Sequence, residues 1–238
     1  LTMLHPHPQV QYLPLDGQAA CVVSDEALLA PERLPAFAQA YREDFQAAPP
    51  AVFPGLQLRM PEEFTALLHD VFRDHARRAL GARRVLRSAS RLSLLTSPMA
   101  ALAPAHWIPR RERTFAPEQC IAVAELFLFH DAALGGTHFF APRVSAQALE
   151  QLEHDADALS PDAFSQRHAI AAGFPHASSA YFAHVRTVPA RWNRLLIHDG
   201  AAFHAPAIAD PSRLATDPRQ GRLTLQAVLV CSRNRVAW

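Results

Sequence analysis

The strongest constraint on this chain is a change of period. From about residue 84, apolar side chains recur at every second position or fill short runs. Six segments do this: "VLRSASRLSLLT" (85–96), "CIAVAELFLF" (120–129), "GTHFFA" (136–141), "AYFAHVRTV" (180–188), "NRLLIH" (193–198) and "GRLTLQAVLVC" (221–231). A β-strand sends successive side chains to opposite faces, so this period predicts strands. Pro, Asp-Gly and Gly-Gly punctuate them. Of the eight glycines, four stand in three of these turns: Gly135 and Gly136, Gly200, and Gly221.

The front of the chain has the other period. "PERLPAFAQAYREDF" (31–45) carries apolar residues at 34, 37, 38, 41 and 45, a helical stripe. In "PEEFTALLHDVFRDHARRALG" (61–81), Pro61 opens the helix and Glu62 and Glu63 sit in its first turn. Arg77 and Arg78 fall in the last turn and Gly81 ends it, as the helix dipole and C-cap rules prefer. A third helical stretch, 145–173, is rich in Asp, Glu and Gln and reads as a surface insertion between strands. The expectation is a single domain over 1–238. Residues 1–83 are a mainly helical N-terminal support, and 84–238 a β-structure with the insertion at 145–173. Helices first and many antiparallel-type strands after them predict a mostly β (α+β) sandwich or barrel buttressed by helices, not a parallel α/β fold.

Half of the 238 residues are hydrophobic, enough to bury a core without covalent staples. Three cysteines, Cys21, Cys120 and Cys231, make an odd set with no C-x-x-C pair, so neither a disulfide framework nor structural zinc is expected. A net charge of +1 offers no bulk field for nucleic acid or an anionic membrane. All the basic residues are arginine, and the run from Arg73 to Arg91 lacks interleaved aromatics, so it reads as a solvated helix end and strand edge. The longest apolar run is too short to span a bilayer and is broken by Glu125. The opening "LTMLHPHPQV" has no basic segment followed by an apolar one, so no signal peptide is expected. A soluble cytoplasmic protein is the expectation.

There is no H-E-x-x-H, G-x-S-x-G, Walker or G-x-G-x-x-G sequence among the thirteen histidines and their surroundings. What stands out is an order of features. "LGGTHFFAPR" (134–143) turns on Gly-Gly. "NRLLIHDGAAFHAPAI" (193–208) gives a strand, a tight turn and a short strand with His204; His198 is expected to belong to the hairpin. "GRLTLQAVLV" (221–230) then places Arg222 and Thr224 two apart, on one face of a strand. A guanidinium fork beside a hydroxyl makes a carboxylate anchor. Glu125, a carboxylate amid apolar strand residues, is either a barrel-facing functional group or a sign that its strand face is wet.

At these residues the sequence resembles the iron(II)- and 2-oxoglutarate-dependent oxygenases. It resembles more closely an uncharacterised bacterial family related to their prolyl hydroxylase-like branch. The likeness runs from about "FPGLQ" (53–57) to the C-terminal strand. It implies a double-stranded β-helix, a cupin-like jelly-roll with its site in the open mouth. It also implies that His204 is the distal histidine of a two-His-one-carboxylate triad, and that Arg222 and Thr224 bind the distal carboxylate of 2-oxoglutarate.

The proximal His-x-Asp pair should fall in "LAPAHWIPRRERTF" (102–115), where Arg110 and Glu112 stand at the matching positions. Arginine offers donors only and cannot ligate a metal. His204 and Glu112 then remain as metal candidates, with Fe(II) in doubt. His106 is a substitute only if the backbone shifts, because four strand residues cover about 13 Å. A permanent cation at Arg110 would need Glu125 or a bound acid beside it. Alternatively the strand end is exposed, with Arg110, Arg111 and Arg113 in solvent. Two functional readings follow. One is an Fe(II)/2-oxoglutarate dioxygenase with an atypical site. The other, favoured by the missing ligand, is a metal-deficient relative that binds a carboxylate-bearing small molecule or peptide or serves as an accessory protein.

Overall fold

Two antiparallel sheets face each other across the site. The structure is a computed structural model describing residues 4–15, 18–50, 52–114 and 116–233. In chain order its strands are β1 (Gln9–Leu15), β2 (Gln18–Asp25), β3 (Gln46–Ala47), β4 (Gly55–Arg59), β5 (Ala82–Leu95), β6 (Gln119–Phe127), β7 (Thr137–Pro142), β8 (Phe182–Val188), β9 (Leu195–Asp199), β10 (Phe203–Pro206) and β11 (Arg222–Arg233). Four helices join them: α1 (Arg33–Ala40), α2 (Glu62–Val71), α3 (Ala146–Ala158) and α4 (Pro161–His168).

The large sheet runs β1-β2-β9-β6-β11-β5-β4-β3 and the small one β10-β7-β8. A bridge between Arg110 and His204 adds a fourth rung beside β10. From β5 onward the chain winds large, small, large, small, small, large, small, large: β5, the Arg110 rung, β6, β7, β8, β9, β10, β11. That is a double-stranded β-helix, as the sequence led us to expect, and it puts the termini of distant strands around one interior.

Period two decides which side chains enter that interior. On β6, Ala122, Ala124 and Leu126 pack outward with Leu34, Ala38, Leu68 and Phe72 of α1, α2 and the turn after α2. Phe127 points the other way, into a cluster with Phe139, Leu196 and Val188 between the sheets. On β11, Leu223, Leu225, Ala227 and Leu229 share the outer cluster, which turns Arg222 and Thr224 inward. β6 is covered on both faces, so it reads as a continuous apolar run rather than an alternating one.

The N-terminal support is not mainly helical, which corrects the expectation for 1–83. It holds α1 and α2, but also β1 to β4. β1 pairs with β2 along its whole length and β2 lies against β9. The side chains of β1 are mostly exposed, among them Gln9, Gln11 and Tyr12, so this edge strand lacks the apolar alternation that marks a half-buried one. The long helix expected over 61–81 is regular only to Val71. It widens into a π turn over Phe72–Ala76 and ends at Gly81 with φ +62°.

The insertion packs rather than floats. Leu149, Leu152, Ala156 and Phe164 of α3 and α4 cover Phe140, Phe182 and Phe203 on the outer face of the small sheet. Ser145 and Ser160 cap the two helices by accepting from the amides of Ala148 and Ala163. Buried Asp155 takes His168 Nε2 at 2.8 Å and Arg167 at 3.1 Å, and His168 Nδ1 meets the Tyr181 hydroxyl at 2.9 Å. Among the described residues no helix is long and apolar enough to cross a membrane.

Candidate functional site

Arg222 starts β11 and is 1% exposed. Its Nε donates to the Leu134 carbonyl at 3.1 Å, and one terminal nitrogen donates to the Gly136 carbonyl at 3.0 Å and to Glu125 Oε1 at 3.3 Å. The other Glu125 oxygen accepts from the Thr137 hydroxyl at 2.6 Å. Phe127 and Phe129 flank the guanidinium, their ring centres 5.9 and 5.7 Å from its carbon. Glu125 is thus an inward-facing, ion-paired residue and not the mark of a wet strand face. Thr224, also inward and fully buried, has a hydroxyl with no hydrogen-bond partner among the described residues.

At the other end of the interior, Arg110 lies directly opposite His204, their backbones exchanging hydrogen bonds of 2.9 and 2.8 Å. His204 Nδ1 lies 3.0 Å from the Ala202 carbonyl, so it carries the proton and Nε2 keeps a lone pair. Arg110 Nε points at that lone pair from 3.4 Å, and its NH1 donates to the Val52 carbonyl at 3.1 Å. Glu112 Oε1 is 4.0 Å from Arg110, with its Cβ packed beside Gly200.

The neighbouring arginines do not trail in solvent. Arg111 forms a fork on Glu153 of α3 at 3.0 and 3.2 Å and lies 4.5 Å over the Phe203 ring. Arg113 joins the same carboxylate. Alternation along the rung explains the division: 111 and 113 face α3, and 110 faces the interior.

A cavity of about 50 Å³ lies between these groups. Arg110, His198, His204, Glu125 and Arg222 line it, with His106 on its border. At ~10–15 Å³ per water centre it has room for about four waters. His106 Nε2 is bonded to the Pro50 carbonyl. His198 differs from the hairpin role expected of it. It follows Leu196 on the inner face of β9, donates through Nδ1 to the Asp199 carbonyl at 2.8 Å, and its ring centre is 4.6 Å from that of His204. The alternation of "RLLIH" carried that signal.

The donors present do not fit a metal ion. The His204 lone pair faces a guanidinium N–H, which competes directly with any cation for that electron pair. Glu112 is outside the cavity lining. Among the described residues, no three His, Cys, Asp or Glu side chains are placed to share a metal. Nor is Arg222 an open anchor for 2-oxoglutarate, since Glu125 already neutralises it.

Burial holds His204 well below the ordinary imidazole range, aided by His198 and Arg110, and burial also lowers His198. The unfolded chain, with imidazoles near 6.5, then binds more protons than the folded one at pH below about 6.5. Stability from these two groups is fully present above that pH and is lost as the pH falls through it. Urea midpoints measured from pH 8 to 5 should fall on the acid side. A His198→Gln/His204→Gln double variant should fall less steeply, and an unchanged slope would assign the proton uptake elsewhere.

The family of unknown function DUF6445 matches residues 6–229. A search of curated proteins found no match. Among solved structures, the chain is similar to HygX from Streptomyces hygroscopicus, crystallised with nickel and 2-oxoglutarate bound. The identity there is 10%, the coverage 92% of this chain and 84% of that one, and the TM-score 0.47. The non-heme alpha ketoglutarate dependent epimerase SnoN from nogalamycin biosynthesis matches at 16% identity, 92% and 83% coverage and TM-score 0.43. An N-substituted L-amino acid dioxygenase from Burkholderia ambifaria matches at 12%, 98% and 97%, and 0.42. The chain belongs to DUF6445.

Proposed function

We propose that this member of DUF6445 is a metal-independent binding protein that takes a carboxylate-bearing small molecule or peptide at Arg110, on its own or as an accessory to another enzyme. The observation that carries the reading is Arg110 opposite His204, its N–H toward the imidazole lone pair. The other cations nearby have a carboxylate at closer range: Arg222 has Glu125 at 3.3 Å, and Arg111 and Arg113 share Glu153, with Glu150 a further 3.9 Å from Arg113. Among the described residues, the acidic partner of Arg110 is Glu112, at 4.0 Å. A half-buried guanidinium with a distant counter-ion is where an incoming carboxylate gains most. His198 Nε2, left as an acceptor, favours a ligand with an O–H or N–H near its acid group.

An oxygenase remains the second reading. It is favoured by the unpartnered Thr224 hydroxyl, on the strand face where the sequence resemblance places the distal carboxylate of 2-oxoglutarate.

Anaerobic titration with Fe(II) and then 2-oxoglutarate separates the two. Binding without metal predicts no iron retained at micromolar concentrations, and no effect of His204→Ala on that result. A charge-transfer band on adding 2-oxoglutarate would sink it. Calorimetry with acetate, succinate and 2-oxoglutarate, without metal, tests the positive claim. Arg110→Ala should weaken the best of these at least about tenfold, the loss expected for a charge-assisted hydrogen bond. Equal affinity in the variant would move the ligand elsewhere.

A further inference from the structure

The outer face of the small sheet carries a second, larger cleft of about 980 Å³, at the upper end of the range for small-molecule sites. Phe140 on β7 and Phe182 on β8 form part of its floor, and Trp107, Phe174 and Ile208 part of its walls. Among the described residues, not one that lines it is Asp, Glu, Lys or Arg, in a chain with 23 basic and 22 acidic residues. Salt-linked surface covers the same sheet elsewhere, so the lack of charge here is local. An ionic ligand would lose its hydration without finding a counter-charge.

His138, His176, Ser178, Ser179 and Thr187 are the polar side chains of this otherwise apolar lining, and two of them, His138 and Thr187, are linked to each other. His138 Nδ1 lies 2.8 Å from the Thr187 hydroxyl and 3.2 Å from His184 Nε2, and His184 Nε2 lies 3.0 Å from the same hydroxyl. The two imidazoles meet edge to face, 4.9 Å apart at 84°. His138 and Thr187 line the cleft. Burial, with the nearby charges of His184 and His176, lowers His138 to about 4, so it is neutral at physiological pH. When the Thr187 hydroxyl donates to His138 Nδ1, the proton of the neutral ring sits on Nε2, the nitrogen left for a ligand.

We propose that this cleft is a binding site for an uncharged, mainly apolar small molecule with one hydrogen-bond acceptor, received by His138 Nε2–H. The site is distinct from the cavity at Arg110. Ile108 and Phe174 line both and form the wall between them. The inference does not depend on what Arg110 binds.

Nile red, uncharged and carrying a carbonyl acceptor, is the probe. Titrated into the full chain, it should give a saturable 1:1 curve with blue-shifted emission. Ala172→Trp, at an exposed position in the cleft lining, fills the space without touching the core and should weaken binding at least about tenfold. His138→Phe keeps the ring and removes the donor; the loss of one neutral hydrogen bond predicts a three- to tenfold weaker curve, on the order of 0.5–1.5 kcal/mol. Arg110→Ala should leave the curve unchanged, which separates this site from the carboxylate site. A titration that never saturates, or one that Ala172→Trp does not alter, overturns the site. Unchanged binding in His138→Phe overturns the role given to that imidazole.

Discussion

Arg222→Ala should destabilise the protein by about 3–5 kcal/mol, the usual effect of removing one partner from a buried ion pair. That is a large share of the ~5–15 kcal/mol that holds a typical domain together. The variant loses bonds to the Leu134 and Gly136 carbonyls, and it leaves the Glu125 carboxylate buried with only the Thr137 hydroxyl. The pair itself is less valuable than its rupture suggests, because both charges were taken out of water to form it. An Arg222→Met/Glu125→Leu double variant, apolar and close in volume, should therefore recover most of the loss. Urea unfolding of the parent, Arg222→Met, Glu125→Leu and the double variant closes the cycle. If Arg222→Ala unfolds at the parent's midpoint, the pair is not the buried junction described above.

A comparable loss is expected from one added methyl group at Gly135. Its φ of +73° and ψ of 169° lie in a region open essentially to glycine alone, which costs other residues about 1–3 kcal/mol. There is also no space: a Cβ would lie 1.7 Å from the Ala207 carbonyl oxygen and 2.4 Å from its carbon. That backbone must move, and overpacking of this kind costs about 1–3 kcal/mol more. Gly135→Ala should thus destabilise by about 2–6 kcal/mol. It should also disturb Arg222, whose carbonyl partners sit on either side of this residue. Gly81 is the control. Its φ is +62°, but nothing lies within 4 Å of its added Cβ, so Gly81→Asn should change stability by less than about 1 kcal/mol. Equal urea midpoints for Gly135→Ala and Gly81→Asn would show that the strand ends around Gly135 are loose.

The winding of the fold was legible because alternation is local. Each of the six segments read as strands is a strand, with ends displaced by at most three residues. Alternation also turned Arg222 and Thr224 to the same side. What stayed hidden depends on register between distant segments. Gln226 stands opposite Glu125 across β11 and β6, which brings Glu125 within reach of the long side chain of Arg222, four residues earlier on the same face. Nothing near either residue records that neighbour. Arg110 opposite His204 is likewise a pairing across 94 positions. The edge strands β1 and β3 escaped because their exposed polar faces blur the pattern, and β2 and β4, one place further in, owe their position to pairing with β9 and β5. The outer cleft exists only once helices, loop and sheet are assembled.

The same long-range winding sets an order in time. Glu125 is made 97 positions before Arg222, and Leu28 waits 165 positions for Asn193, whose side-chain amide clasps its backbone from both sides. Loop closure must come before such contacts stabilise anything, so chains of this topology fold slowly beside helical bundles of similar size. Until β11 is synthesised, Glu125 has no cation, the large sheet lacks a central strand, and the apolar flanks of β5 and β6 stay uncovered. The interior therefore closes as a late event, and a chain stopped short of its last strand lacks Arg222 and Thr224, the end of the interior that β11 supplies.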